Sequence, residues 1–143
     1  MSEVTVFESS GVIRLSVARV WELLTDWVSM PLWAPGVQRM QPAEDRLAPG
    51  LRLDYLSAGH ERQLTVHEVD PEKRLVLRTG DGPDSLAYSF SLDESAGQAK
   101  MLLRITVLNP DLSSAELADL AEEVAKRDGA TLYQLKRYAE SAP

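Results

Sequence analysis

The sequence predicts an α+β fold in which one curved antiparallel sheet, of about six or seven strands, wraps a long C-terminal helix. Three observations predict it. Between Leu51 and Leu108 the chain is a series of short period-2 segments separated by turns rich in Gly, Pro, Asp and Ser. Connections this short permit antiparallel neighbours but not parallel crossovers. After Asn109-Pro110-Asp111 the period changes to that of one long amphipathic helix. A helix of that kind must bury its apolar stripe, and the sheet is the surface on offer.

Residues 3–9 alternate as a first strand, with Val4 and Val6 on one face and Thr5 and Phe7 on the other. Ser16 then serves as an N-cap. Val17, Val20, Trp21 and Leu24 fall at i, i+3, i+4 and i+7, a helical stripe that ends near Asp26. Trp27 to Gly36 carries Pro31, Pro35 and two tryptophans, and reads as a short second helix or compact turn. Val37 to Gln41 is a further strand candidate. The meander follows, with strands expected at 51–56, 61–69, 75–79, 85–92 and 99–108. Ser113 and Glu116 fit a capping box, and Leu117, Leu120, Val124, Leu135 and Tyr138 recur at helical spacing until about Ala139. Gly129 marks a bend or a close approach, because glycine inside a helix costs about 1 kcal/mol relative to alanine. No repeat, low-complexity tract or linker interrupts residues 1–143, which read as one domain.

Parity along the strands sorts the sheet into an apolar and a polar face. Leu64 and Val66, Leu75 and Leu77, Tyr88 and Phe90, and Met101, Leu103 and Ile105 share the apolar side. Thr65, His67, Arg74, Arg78, Ser89 and Arg104 share the other. Arg62 breaks the pattern by sharing parity with Leu64, and Val76 breaks it in the opposite sense.

Composition removes several function classes. Lys+Arg number 15 against 22 Asp+Glu, a net charge of −7, and an acidic surface repels phosphate backbones, so no nucleic-acid partner is expected. The absence of cysteine excludes disulfides, thiolate metal sites and cysteine nucleophiles. His60 and His67 alone do not make a zinc site, so no metal is expected, and no cofactor motif is present. No apolar run approaches the roughly 18 residues that span a bilayer. Met-Ser-Glu-Val-Thr lacks the basic and apolar regions of a secretory signal. A cytoplasmic protein without integral membrane association is therefore expected.

The run Val20-Trp21-Glu22-Leu23-Leu24-Thr25-Asp26-Trp27, followed by Met30-Pro31-Leu32-Trp33-Ala34-Pro35-Gly36-Val37, resembles the START-like superfamily, also called SRPBCC. Its polyketide cyclase/dehydrase-like branch is the most similar. Val66 to Leu75 and Leu132 to Glu140 extend the resemblance over nearly the whole chain. The resemblance implies a helix-grip fold, with a deep apolar cavity between sheet and C-terminal helix. It implies a START-like ligand-binding domain over residues 1–143. Relatives bind lipids, sterols, quinones, polyketides or plant hormones, and some are aromatase/cyclases.

The candidate site follows from that cavity. Tyr88, Phe90, Met101, Leu103 and Ile105 are either plain core or ligand lining. Leu64, Val66 and Leu77 join them on the sheet, with Val124 on the helix. The helix brings small residues (Ala125, Gly129, Ala130) towards the middle, where they leave volume unfilled. Natural chains usually keep such volume for a ligand, since a void costs roughly 24 cal/mol per Å3. Trp21 reads as core, whereas Trp33 in its Pro-rich segment belongs at the cavity mouth. On the second long strand Tyr55 is the cavity member and Asp54 its outward neighbour. Arg62 points inward by parity and could anchor a carboxylate or enolate, although the simpler reading sends its charged end to solvent. Asp128 could act as a base, although the charged stretch from Glu122 to Asp128 reads more simply as a solvated face. His60 and His67 have no partner that suggests a dyad.

With Tyr88, Arg62 and Asp128 as its catalytic candidates, the chain is poor in acid–base equipment. Binding or carriage of a small hydrophobic molecule (lipid, quinone or polyketide-like) is therefore the first expectation. The alternatives are a cyclase/dehydratase or isomerase using the same cavity, and a protein-binding module of co-chaperone type.

Overall fold

The computed structural model describes residues 4–80, 85–108 and 111–141. The turn expected at Asp81 to Asp84 and the break at Asn109-Pro110 lie outside the described residues. Strand β1 spans Val4–Ile13, helix α1 Val17–Leu24, and a 3-10 helix Trp27–Leu32. Then come β2 (Val37–Pro42), β3 (Arg52–Ser57), β4 (His60–Asp70), β5 (Arg74–Arg78), β6 (Leu86–Ser95) and β7 (Gln98–Val107). Helices α2 (Ser114–Asp128) and α3 (Thr131–Ser141) close the chain. The strands form one seven-stranded antiparallel sheet in the order β1-β7-β6-β5-β4-β3-β2.

Register gives the inner face its rows. Val66, Leu77, Tyr88, Ile105 and Phe7 stand opposite one another across β4, β5, β6, β7 and β1. A second row runs Val69, Leu75, Phe90 and Leu103. The two-residue turns Ala58-Gly59 and Ala96-Gly97 take positive φ at both positions, the backbone whose twist matches tight hairpins. His60 therefore begins β4 instead of sitting in the turn, and it is exposed.

Three bulges interrupt simple alternation. The one between Thr5 and Phe7 overturns the expected pairing of faces in β1: Val4 opposes Val107 and Phe7 opposes Ile105, so both face the core. The bulge between Val66 and Glu68 puts Glu68 opposite Val76. The outer face is also less wet than alternation suggests, since Val76, Ala87 and Thr106 are buried there.

Helix α1 is capped by the Ser16 side chain, which accepts from the Arg19 N–H at 3.2 Å. Its buried residues are Val20, Leu23 and Leu24, while Trp21 is half-buried against the core. The 3-10 helix buries Trp27 and Met30 and leaves Val28 and Leu32 exposed.

The C-terminal helix is broken where a single helix was expected. The capping box forms, with Ser113 accepting from the Glu116 N–H at 3.1 Å and Glu116 accepting from the Ser113 N–H at 3.0 Å. Helix α2 then ends at Asp128, and Gly129-Ala130 is a turn. A Cβ on Gly129 would lie 2.3 Å from the Ala125 carbonyl oxygen, so the break requires glycine. Val124 anchors α2, and Leu132, Leu135 and Ala139 anchor α3. Ala125, Gly129 and Ala130 are exposed, contrary to expectation, and do not face the sheet.

Candidate functional site

A cavity of about 710 Å3 opens between the inner face of the sheet, the segment after the 3-10 helix and the α2–α3 junction. Met30, Trp33 and Ala34 border it on one side. Strands β2, β3 and β4 supply Met40, Tyr55, Arg62 and Leu64. Strands β5 and β6 supply Leu77, Leu86, Tyr88 and Phe90, and the helix junction supplies Arg127, Asp128 and Thr131. At roughly 24 cal/mol per Å3, a dry void of this volume would cost about 17 kcal/mol. That exceeds the 5–15 kcal/mol by which a whole domain is typically stable. The space is therefore solvated or filled, not a packing fault. A second groove, of about 370 Å3, belongs to the β2–β3 connection around Ala43 to Arg52 and gathers no such aromatic wall.

Polar groups meet at one place in the cavity wall. The Tyr88 hydroxyl donates to Asp128 Oδ2 at 3.1 Å and accepts from Arg127 Nη2 at 3.3 Å. Arg127 Nε donates to the same carboxylate oxygen at 3.0 Å. Burial, and then the neighbouring Asp128 carboxylate, push the Tyr88 phenol far above the ordinary tyrosine range. Burial also raises Tyr55, while the charges of Arg62 and Arg127 pull it down and Asp128 adds to the rise. Both phenols are therefore neutral hydrogen-bonding groups at neutral pH. A phenol held so far above pH 7 is a poor proton shuttle and a good positioning donor. Near this wall Trp33 Nε1 is buried with no hydrogen-bond partner.

The sequence candidates divide by place. Trp33, Tyr55, Leu64, Leu77, Tyr88 and Phe90 line the cavity, and so do Arg62 and Asp128. Val66, Met101, Leu103, Ile105 and Val124 do not; each is almost wholly buried in the packed core. The four sheet residues share the inner face and Val124 packs from α2, but the opening is lined from β2 to β6 and takes no described residue of β1 or β7. Arg62 is exposed at the cavity's edge, opposite Tyr55 on β3. The solvated face expected from Glu122 to Asp128 describes Glu122, Glu123 and Lys126, all exposed. It fails at Asp128, whose side chain is only 14% accessible and turned to Tyr88. His60 and His67 are exposed and outside the cavity.

Sequence reasoning missed Arg127, Thr131, Met30 and Met40. Thr131 carried a signal, since it falls between Val124 and Leu135 in the helical stripe. Arg127 carried none, because a cation in the last turn of a helix is ordinary. Among the described residues no cluster of three or more metal-ligating side chains occurs, and no helix is long and apolar enough to cross a membrane.

A profile described as polyketide cyclase / dehydrase and lipid transport matches residues 4–140. The chain belongs to this family. Its fold recurs in a protein from Nitrosomonas europaea, NE0264, at 16% identity and a TM-score of 0.73, covering 94% of this chain and 93% of that one. The Zhui aromatase/cyclase from Streptomyces sp. R1128 is similar at 16% identity and a TM-score of 0.70, over 94% and 92% of the two chains. Ara h 8.0201 is similar at 14% identity and a TM-score of 0.71, over 99% of this chain and all of the other. Superpositions of this quality establish the shared helix-grip fold: a seven-stranded sheet closed over a long C-terminal helix, here delivered in two segments. No curated protein matches the chain in sequence.

Proposed function

We propose that the protein binds and carries a small, mostly apolar molecule between its sheet and its C-terminal helix. The observation that carries this reading is the cavity of about 710 Å3, walled by Trp33, Met40, Leu64, Leu77 and Phe90. An aromatic and aliphatic wall with a few polar groups at one place is the composition of small-molecule sites. Membership of a family described by lipid transport as well as cyclisation supports it. The test is saturation binding of the neutral fluorophore N-phenyl-1-naphthylamine, with mass spectrometry of an organic extract of the purified protein. Saturable binding that Ala34→Trp weakens at least about tenfold, by plugging the mouth, is the expected result. Non-saturable fluorescence, or unchanged affinity in Ala34→Trp, would overturn the reading.

A second reading is favoured by the Tyr88–Asp128–Arg127 group on the wall of the same cavity. In it the cavity holds a flexible β-polyketone chain, as the aromatase/cyclase neighbour's name suggests. Asp128, held by Tyr88 and Arg127, takes a proton from a carbon between two carbonyls while Arg62 steadies the enolate oxygen. The enolate carbon attacks a ketone further along the chain, and the resulting hydroxyl leaves as water with the proton returned by Asp128. Release of an aromatic product from a β-polyketone thioester, lost in Asp128→Asn, would support it. No turnover by the wild-type protein would remove it.

A further inference from the structure

The chain carries a net charge of −7, yet its cavity is edged by two arginines and one aspartate. Asp128 is already engaged, accepting from both Tyr88 and Arg127. Arg127 spends its Nε and Nη2 on those same two partners. Arg62 differs: among the described residues it has neither a hydrogen bond nor an ion pair. Nearby acids are committed elsewhere, Glu61 to Arg39 and Asp54 to Arg52. Strand register places Arg62 directly opposite Tyr55, and Tyr55 directly opposite Met40, on the cavity side of the sheet. The Tyr55 hydroxyl feels the charges of both arginines.

We infer that the ligand carries a carboxylate, which lies against Arg62 and the Tyr55 hydroxyl while its apolar body extends towards Leu77 and Phe90. Exposed at the cavity's edge, the Arg62 guanidinium is open to hydration by solvent. An apolar ligand that displaces this water strips hydrogen bonds from a cation and leaves them unmade, a larger loss than for a neutral group. A carboxylate replaces them with charge-assisted bonds, and the planar guanidinium suits it geometrically. The Tyr55 phenol adds a neutral donor that does not compete for the charge. Arg62 is exposed, so screening limits the gain to about tenfold in affinity over a neutral head group.

This inference rests on the carriage reading, and the experiment separates the two. Bound N-phenyl-1-naphthylamine is displaced at pH 8 by dodecanoate, dodecan-1-ol or dodecylammonium, which share one tail. If the fluorophore never binds, the carriage reading itself fails. If it binds, dodecanoate is expected to compete about tenfold better than dodecan-1-ol, with dodecylammonium weakest. In Arg62→Gln the carboxylate-to-alcohol ratio should fall to within about threefold, while Arg62→Lys, which keeps the charge, retains a preference. The ratio is taken within each variant, so a general loss of affinity cancels. Among the described residues the Arg62 side chain makes no hydrogen bond or ion pair, so Arg62→Gln removes none from the fold. Equal competition by dodecanoate and dodecan-1-ol in the wild type, or an undiminished ratio in Arg62→Gln, would overturn the inference.

Discussion

Tyr88→Phe removes one oxygen and nothing else, and its effect follows from the bonds that oxygen makes. The hydroxyl ties β6 to the end of α2, across 40 residues of sequence, through Asp128 at 3.1 Å and Arg127 at 3.3 Å. Hydrogen bonds to charged partners contribute about 1.5–3 kcal/mol each. Three facts lower that figure here. Both distances are longer than those of strong charge-assisted bonds. The Arg127 side chain is 48% accessible, so solvent screens it. Asp128 retains Arg127 Nε at 3.0 Å and is not orphaned. A net loss of about 1–1.5 kcal/mol remains. Unfolding entropy of about 2.1 cal/mol/K per residue gives about 0.3 kcal/mol/K for this length, so the melting temperature should drop by about 3–5 °C. Calorimetric melts at pH 7 and 0.15 M salt measure it. A double-mutant cycle with Asp128→Ala, which leaves no acceptor for the phenol, should return a coupling near 1 kcal/mol. A melting temperature within 1 °C of the wild type, or strict additivity in the cycle, would refute the claim that this bond latches α2 to the sheet.

Gly129→Ala is expected to destabilise by 1 kcal/mol or more, because the new Cβ would meet the Ala125 carbonyl oxygen at 2.3 Å. Helix propensity alone has the opposite sign, a gain of about 1 kcal/mol, so urea denaturation decides between them. Ala96→Asn should stabilise by about 0.5–1 kcal/mol, since Ala96 sits at φ 51° in a two-residue hairpin turn where asparagine is at ease; an unchanged or lower urea midpoint contradicts it. Tyr55 and Tyr88 both titrate above the ordinary tyrosine pKa of 10.0 in the folded chain. Their contribution to stability is therefore complete below about pH 10 and is lost as the pH rises from there towards the folded values. The urea midpoint of the wild type should fall faster above pH 10 than that of the Tyr55→Phe/Tyr88→Phe double variant, and equal slopes would contradict the burial argument.

What could be read in the sequence depended on which periodicity carried it. Strand alternation located five meander strands to within a residue or three and assigned Tyr88, Phe90 and Leu77 to the inner face, because a half-buried sheet leaves a period-2 record. Alternation cannot anticipate a bulge, so it sets Phe7 on the face opposite Val4 although both pack against the core. Parity also names a face without naming a place on it. Met101, Leu103 and Ile105 face the same way as Tyr88 yet pack into solid core, because helix α1 packs on β6 and β7 and the C-terminal helices pack on β1 at that end of the sheet. The difference depends on tertiary distance, which no local pattern records. Gly129 was visible as an anomaly, but the contact that demands it, with the Ala125 carbonyl, exists only once the helix has bent.

The polar part of the site shares one signature in two different elements. Counted along the sequence across the turn between α2 and α3, positions 124, 128, 131 and 135 keep the spacing i, i+4, i+7 and i+11 and are occupied by Val, Asp, Thr and Leu. The apolar ends, Val124 and Leu135, are wholly buried, and the polar middle, Asp128 and Thr131, borders the cavity. Along β4, the inward positions 62, 64 and 66 read Arg, Leu and Val, and again the polar member lies at the opening while Val66 is buried in the core. A polar residue at an inward position is costly in a packed core and tolerable beside water. Arg62 is such a residue: it is exposed to water at the cavity's edge and, among the described residues, has no hydrogen bond or ion pair, which leaves its guanidinium available to the carboxylate inferred above. The interruptions in two otherwise apolar patterns therefore converge on one cavity, and they do so although helix and strand reach it with periods that have nothing in common.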